Sequence, residues 1–306
     1  MNGSKIKSRL WMVVGMACVF LLALLFAGCG ATPPPGNNMN NQITDNTVTD
    51  INSGGGSAQS GGMLATGGSQ SSSGGVSTAT PSAGYSLSYW TRTKDGVTTK
   101  YASDIAVTET SGATYTAVFV ADSAVVTVST AAELSSAMSS NKNIILANDI
   151  NATSGFTAPA TFSGVLDGAG HKITVSKSSS DSAVGGLCNT LTGVIKNVIL
   201  HGKVEGVGSS TTQLVGAFAA TINGGLISRC ENHAVISSGA GIAGGIVAQG
   251  AGNARSSTIY YCKNAGAVTA GKVGVIVFTN GTDSSPYVNL VNNQNSGAVQ
   301  SNTVTS

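Results

Sequence analysis

The side chains able to do chemistry are few and scattered. From Ser129 onward the acids are Glu133, Asp149, Asp167, Asp181, Glu205, Glu231 and Asp283, and the only arginines are Arg229 and Arg255. A polysaccharide lyase needs a basic residue over acidic calcium ligands, and a glycoside hydrolase needs paired carboxylates. No two of these acids share a position in the repeat described below. Asp167 stands in a glycine turn, where a bond to nearby backbone is the ordinary role. His171, His201 and His233 are spaced 30 and 32 residues apart. His201 and His233 each follow an equivalent repeat position by six residues, so they are expected to stack on adjacent coils. Zinc would want a third or fourth ligand, and Ala265 interrupts the column on the next coil. No catalytic residue, metal or cofactor is expected.

The five cysteines divide by position. Cys18 lies in an apolar leader and Cys29 just after it, which leaves Cys188, Cys230 and Cys262, an odd set that argues against a disulfide framework. Cys230 and Cys262 are placed to bridge adjacent coils, but as small apolar core residues they need no bond, and reduced thiols are expected.

Lys5, Lys7 and Arg9 precede an uncharged run from Leu10 to Phe26, followed by Ala27, Gly28 and Cys29. This is the pattern of a secretory signal. An uncleaved span is the other reading, since 17 apolar residues reach the lower limit for crossing a bilayer. Ala27-Gly28-Cys29 resembles the bacterial lipobox, with Phe26 where that family usually has Leu. The resemblance implies cleavage after residue 28, acylation of Cys29 and attachment to a lipid bilayer through it. Residues 29–60 are rich in Gly, Asn, Ser, Thr and Pro without an aromatic residue. They read as a disordered tether, and about 30 residues of such coil span roughly 30 Å.

Only 9 % of the chain is charged and 41 residues are glycine, which suits turns and strands better than a helical enzyme. Cutting before Cys29 leaves 12 Lys and Arg against 13 Asp and Glu, so no basic footprint for nucleic acid remains. Tyr85, Leu87 and Tyr89 alternate before Trp90, Lys94-Asp95-Gly96 signals a turn, and Tyr115 to Val120 reads as a closing strand. Composition alone extends the tether to Gly84. Gly75 to Pro81, Gly84-Tyr85, Trp90 and Tyr115-Thr116-Ala117-Val118-Phe119 together resemble a divergent internalin-type B-repeat, which sets a small β module at 61–122. Such modules serve as spacers or interaction units, and Trp90 is expected to anchor the core.

A period near 30 residues governs the rest. Ile227 to Asn232 aligns with Ile259 to Asn264 at a displacement of 32, and Asn293 to Val299 repeats Cys262 to Val268 at 31. Gly185, Gly216, Gly244 and Gly274 form a second column, each expected to open an apolar strand. With no helix-length segment between the strands, a β-helix remains. Ile195, Ile227, Ile259 and Leu290 are expected to form an inward ladder, and Val198, Cys230, Cys262 and Asn293 another beyond a corner. Asn232, Asn264 and Asn295 are expected to form an asparagine ladder. These segments and Phe162 to Ile173 resemble the pectate-lyase-like, glycine-rich β-helices of adhesin-type proteins. Thr130 and Glu133 offer a capping box for a short helix to about Ser139 that plugs the stack.

The sequence is therefore read as all-β, with a small β module followed by a right-handed parallel β-helix over 123–306, preceded by a signal over 1–28. The expected function is non-enzymatic binding, adhesion or structure at the cell surface, with an extracellular glycan or protein as ligand. A polysaccharide lyase or hydrolase is the alternative.

Overall fold

The structure is a computed structural model that describes residues 47–48, 67–73, 75–104, 106–108, 110–252, 256–278 and 288–302. Cys29, the leader and most of the expected tether lie outside them. The protein is mostly β, and its parallel sheets form a β-solenoid of about four turns. One coil runs through Val194–Lys196, Ile199–Gly206, Leu214–Gly216 and Ala219–Ile222 before Leu226–Ser228 begins the next. Each strand pairs in parallel with its equivalents on neighbouring coils, giving solenoid sheets of seven, nine, five and four strands.

Inside the seven-stranded sheet, Ile195 faces Ile227, Ile227 faces Ile259, and Ile259 faces Leu290. The three isoleucines are wholly buried, while Leu290 at the last coil is only partly covered. The chain then turns a corner at Asn197, Arg229, Tyr261 and Asn292, all left-handed with φ of 54°, 51°, 51° and 49°. Asparagine tolerates that conformation; arginine and tyrosine carry a Cβ penalty in it. Beyond the corner Val198, Cys230 and Cys262 are buried. On the last coil Asn293 takes over, accepting from the Cys262 amide at 2.8 Å and donating to the Ile259 carbonyl at 2.8 Å.

The glycine column stands in register, Gly185 with Gly216, Gly244 and Gly274. Each closes a three-residue strand rather than opening one, which corrects the sequence expectation. The reason is a tight turn: a Cβ on Gly185, Gly216 or Gly244 would sit 1.7–1.8 Å from the carbonyl oxygen three residues on. No side chain fits there.

Helix α1, Ala131–Ser139, lies between the first two strands of the seven-stranded sheet. The Thr130 hydroxyl accepts from the Glu133 amide at 3.2 Å, and the Glu133 carboxylate accepts from the Thr130 amide at 3.1 Å. This reciprocal cap satisfies two amides that the first turn cannot. Leu134, Ala137 and Met138 are buried in the same apolar cluster as the first coils.

The described strands N-terminal to the solenoid, referred to below as the module, form two small sheets. Tyr85–Lys94 pairs antiparallel with Val97–Ala102 and Thr114–Ala121. Asp95 and Gly96, both at positive φ, make the two-residue turn that a right-twisted hairpin favours. Gly68–Ser73 and Val76–Pro81 form a second hairpin, so strands begin well before Gly84. Thr47–Val48, inside the expected tether, pairs in parallel with Ala106 and Val107. Trp90 is 2 % exposed at the module's core.

Gly216→Ala is expected to cost about 3 kcal/mol or more, because backbone must move to admit the methyl group. Gly224→Ala, at φ +70° with nothing within 4 Å of the added carbon, should cost only about 1 kcal/mol. Equal losses for the two variants in denaturant unfolding would contradict the close-approach account.

Candidate functional site

Four successive strands of the seven-stranded sheet, from Val194–Lys196 to the edge strand Val288–Val291, carry apolar residues on both faces. Val194, Leu226, Tyr260 and Val291 point outward, yet all are buried, because Trp90, Tyr101, Ala102, Tyr115 and Ala117 of the module join them in one cluster. Polar contacts pin the junction. The Lys100 ammonium donates to the Thr192 carbonyl at 3.0 Å and the Gly224 carbonyl at 2.7 Å, carbonyls on successive coils. Burial pulls its pKa down. Asp104 of the module pairs with Arg229 at the solenoid corner. The Arg229 guanidinium also lies 5.8 Å from the ring of Tyr260 and 5.3 Å from that of Tyr261.

Beside this ion pair the two bodies leave a cleft with about 130 Å³ of room. Ser88, Ser103 and Asp104 line it from the module, and Lys196, Asn197, Ser228 and Arg229 from the solenoid, over a floor that includes Ala102 and Leu226. Lys196 lies 3.3 Å from Asp167, and the Asn197 amide donates to the same carboxylate at 3.0 Å. The Asp167 carboxylate also accepts from the Ala169 amide at 2.9 Å, which is its local turn bond. Ser88 and Ser228 are 6 % and 3 % exposed. Next to Leu226 and Ser228 in the sheet, Thr258 Oγ1 and Tyr260 Oη are fully buried and, among the described residues, without a hydrogen-bond partner.

The asparagine column is an amide chain, buried at Asn232 and Asn264 and exposed at Asn295. Asn232 Nδ2 donates to Asn264 Oδ1 at 2.8 Å, and Asn264 Nδ2 donates to Asn295 Oδ1 at 2.7 Å. Each amide also donates to the carbonyl two residues on, that of Ala234, Gly266 or Gly297. These residues hold the coils together and do not line the cleft described above.

His201 and His233 stack with ring centroids 4.8 Å apart and planes 7° from parallel. His171 stands off the column, because Thr174 is the residue opposite His201. It lies 3.5 Å from Asp149 instead. Burial, the neighbouring His233 and Lys172 pull the His201 pKa down, with Asp149 opposing them. Glu231 and Lys263 are opposite each other in register, but the Glu231 carboxylate contacts His233 Nε2 at 2.9 Å.

The other described acids are engaged close by. Glu133 closes the helix cap, Asp149 lies 3.4 Å from Lys172, Asp181 accepts from Ser179, and Glu205 accepts from Lys203. Asp283 and Arg255 lie outside the described residues. Among the described residues no three His, Cys, Asp or Glu side chains are placed to hold a metal ion. Cys188, Cys230 and Cys262 are free and buried. Burial pushes the Cys188 thiol up to about 12, against a smaller opposing pull from Lys177, and raises Cys230 well above its ordinary value. Thiols held protonated in this way are poor nucleophiles.

No family model, curated protein or solved structure matches the chain. Among the described residues no helix is long and apolar enough to cross a membrane.

Two outcomes are expected of these side chains. Thr258→Val, which removes a buried hydroxyl without a partner, should leave stability unchanged or raise it by about 1 kcal/mol in chemical unfolding. A clear loss would mean that the hydroxyl is satisfied. His201 should titrate below the ordinary value of 6.5 by NMR, and His233→Ala should move its midpoint back upward. Since the folded chain holds fewer protons at this site than the unfolded chain, the His201 contribution to stability should fall as pH drops from about 6.5 through the lowered midpoint. A midpoint at or above 6.5 would overturn the assignment.

Proposed function

We propose that this chain is a surface-exposed bacterial lipoprotein, anchored by acylated Cys29, whose module and solenoid together form a non-catalytic binding or adhesion unit for extracellular glycans or proteins. Ala27-Gly28-Cys29 after the apolar run supports the anchor. The coils are read as right-handed, the hand that nearly all parallel β connections take. Helix α1 is read as the plug of the first coil, and the B-repeat resemblance as the source of the docked module. The observation that carries the binding function is the polar cleft between the N-terminal sheets and the solenoid, because serine hydroxyls, an amide and paired charges converge there on one concave site with apolar wall beside them.

Two measurements test this. A fatty-acid analogue fed to cells making the whole chain should label wild type and not Cys29→Ala; label retained by the variant removes the anchor. The purified chain, applied to panels of host and bacterial glycans and matrix proteins, should retain a ligand without converting it. Retention of nothing, or turnover of a polysaccharide, would overturn the binding function.

A further inference from the structure

The geometry points to a ligand class for the cleft: one neutral pyranose ring, held through a pair of adjacent hydroxyls. The inference rests on the binding function proposed above and says what is bound, and where.

Charge comes first. The cleft contains two cations, but Arg229 faces Asp104 and Lys196 faces Asp167, so each is balanced by a carboxylate. A phosphate or a uronate would have to compete with a carboxylate for each cation, Asp167 at Lys196 and Asp104 at Arg229. A divalent cation would find one lining carboxylate, that of Asp104, beside a guanidinium. An extended peptide needs a free sheet edge or a long groove, whereas this cleft has about 130 Å³ of room, below the roughly 300 Å³ at which drug-sized pockets begin. Its scale is that of a single small ring.

Hydrogen-bonding capacity then selects the ring. Each hydroxyl of a sugar donates one bond and accepts up to two, so a vicinal pair wants an acceptor and donors side by side. Asp104 is the acceptor, and Arg229, Lys196 and the Asn197 amide are donors; bonds to such charged groups are the stronger kind. Ser88 and Ser228 do both. Ala102 and Leu226 offer apolar wall to the C–H face of the ring. The lining comes from both bodies, so the site exists only while the module is docked.

The test uses the whole chain with the methyl pyranosides of glucose, galactose and mannose, and the methyl glycoside of glucuronic acid as the anionic arm. Saturation-transfer NMR should show transfer to at least one neutral pyranoside. Ser103→Trp, which fills the cleft from its rim, should abolish that transfer. The double variant Ser88→Ala with Ser228→Ala should keep the wild-type unfolding midpoint. It should weaken binding about tenfold, as expected for two lost hydrogen bonds. Transfer that persists in Ser103→Trp, transfer to the uronide alone, or transfer to none of the four would overturn the inference. If the panels described above retain a ligand that neutral pyranosides in excess do not displace, the inference fails while the binding function stands; if they retain nothing, that function fails first.

Discussion

Parallel in-register pairing is the constraint from which the solenoid follows. Strands paired this way lie about 4.8 Å apart, so each side chain has its own equivalents as nearest neighbours above and below. A position must therefore be occupied by something that packs on copies of itself. Isoleucine does so at 195, 227 and 259, and glycine does so where a strand end meets a carbonyl. Asparagine does so because an amide is both donor and acceptor. The same rule brings His201 onto His233 with their faces parallel.

The asparagine column also explains a change within the nine-stranded sheet. On the coil that carries Ile199–Gly206 the strand is unbroken and the column position is Leu200; on later coils the strand splits in two, and the position becomes Asn232, Asn264 and Asn295. At the split the Asn232 side chain accepts from the Ala234 amide and donates to the Ala234 carbonyl. The amide side chain takes the part of the missing strand backbone. A buried break in a strand is tolerated because its polar groups are satisfied.

The coils were legible because a displacement of 32 residues carries identical residue types onto one another, as Cys230 onto Cys262 and Asn232 onto Asn264. The 30-residue spacing of His171 from His201 is not register, because the corner between Asp167 and Lys172 is longer than that between Lys196 and Ile199. The glycine column was visible, but its side of the strand was not, since a glycine serves equally before or after a turn. The cleft was not legible at all: Asp104 and Arg229 are far apart in sequence and belong to different bodies. One sign of docking was present. Val194-Ile195 and Leu226-Ile227 place apolar residues next to each other in strands, and a strand apolar on both faces is covered on both. Nothing in those pairs says what does the covering.

In an array whose coils touch only their neighbours, each coil can unravel at a cost set locally, and the end coils fray first. The docked module changes that connectivity. Its apolar cluster takes in Val194, Leu226, Tyr260 and Val291 of four successive coils, and Lys100 ties two of them to a single ammonium group. Loss of any one of these coils removes support from the module, and through it from the other three. The lateral contact thus converts a chain of nearest-neighbour equilibria into one cooperative unit, so that these four coils melt together rather than one at a time.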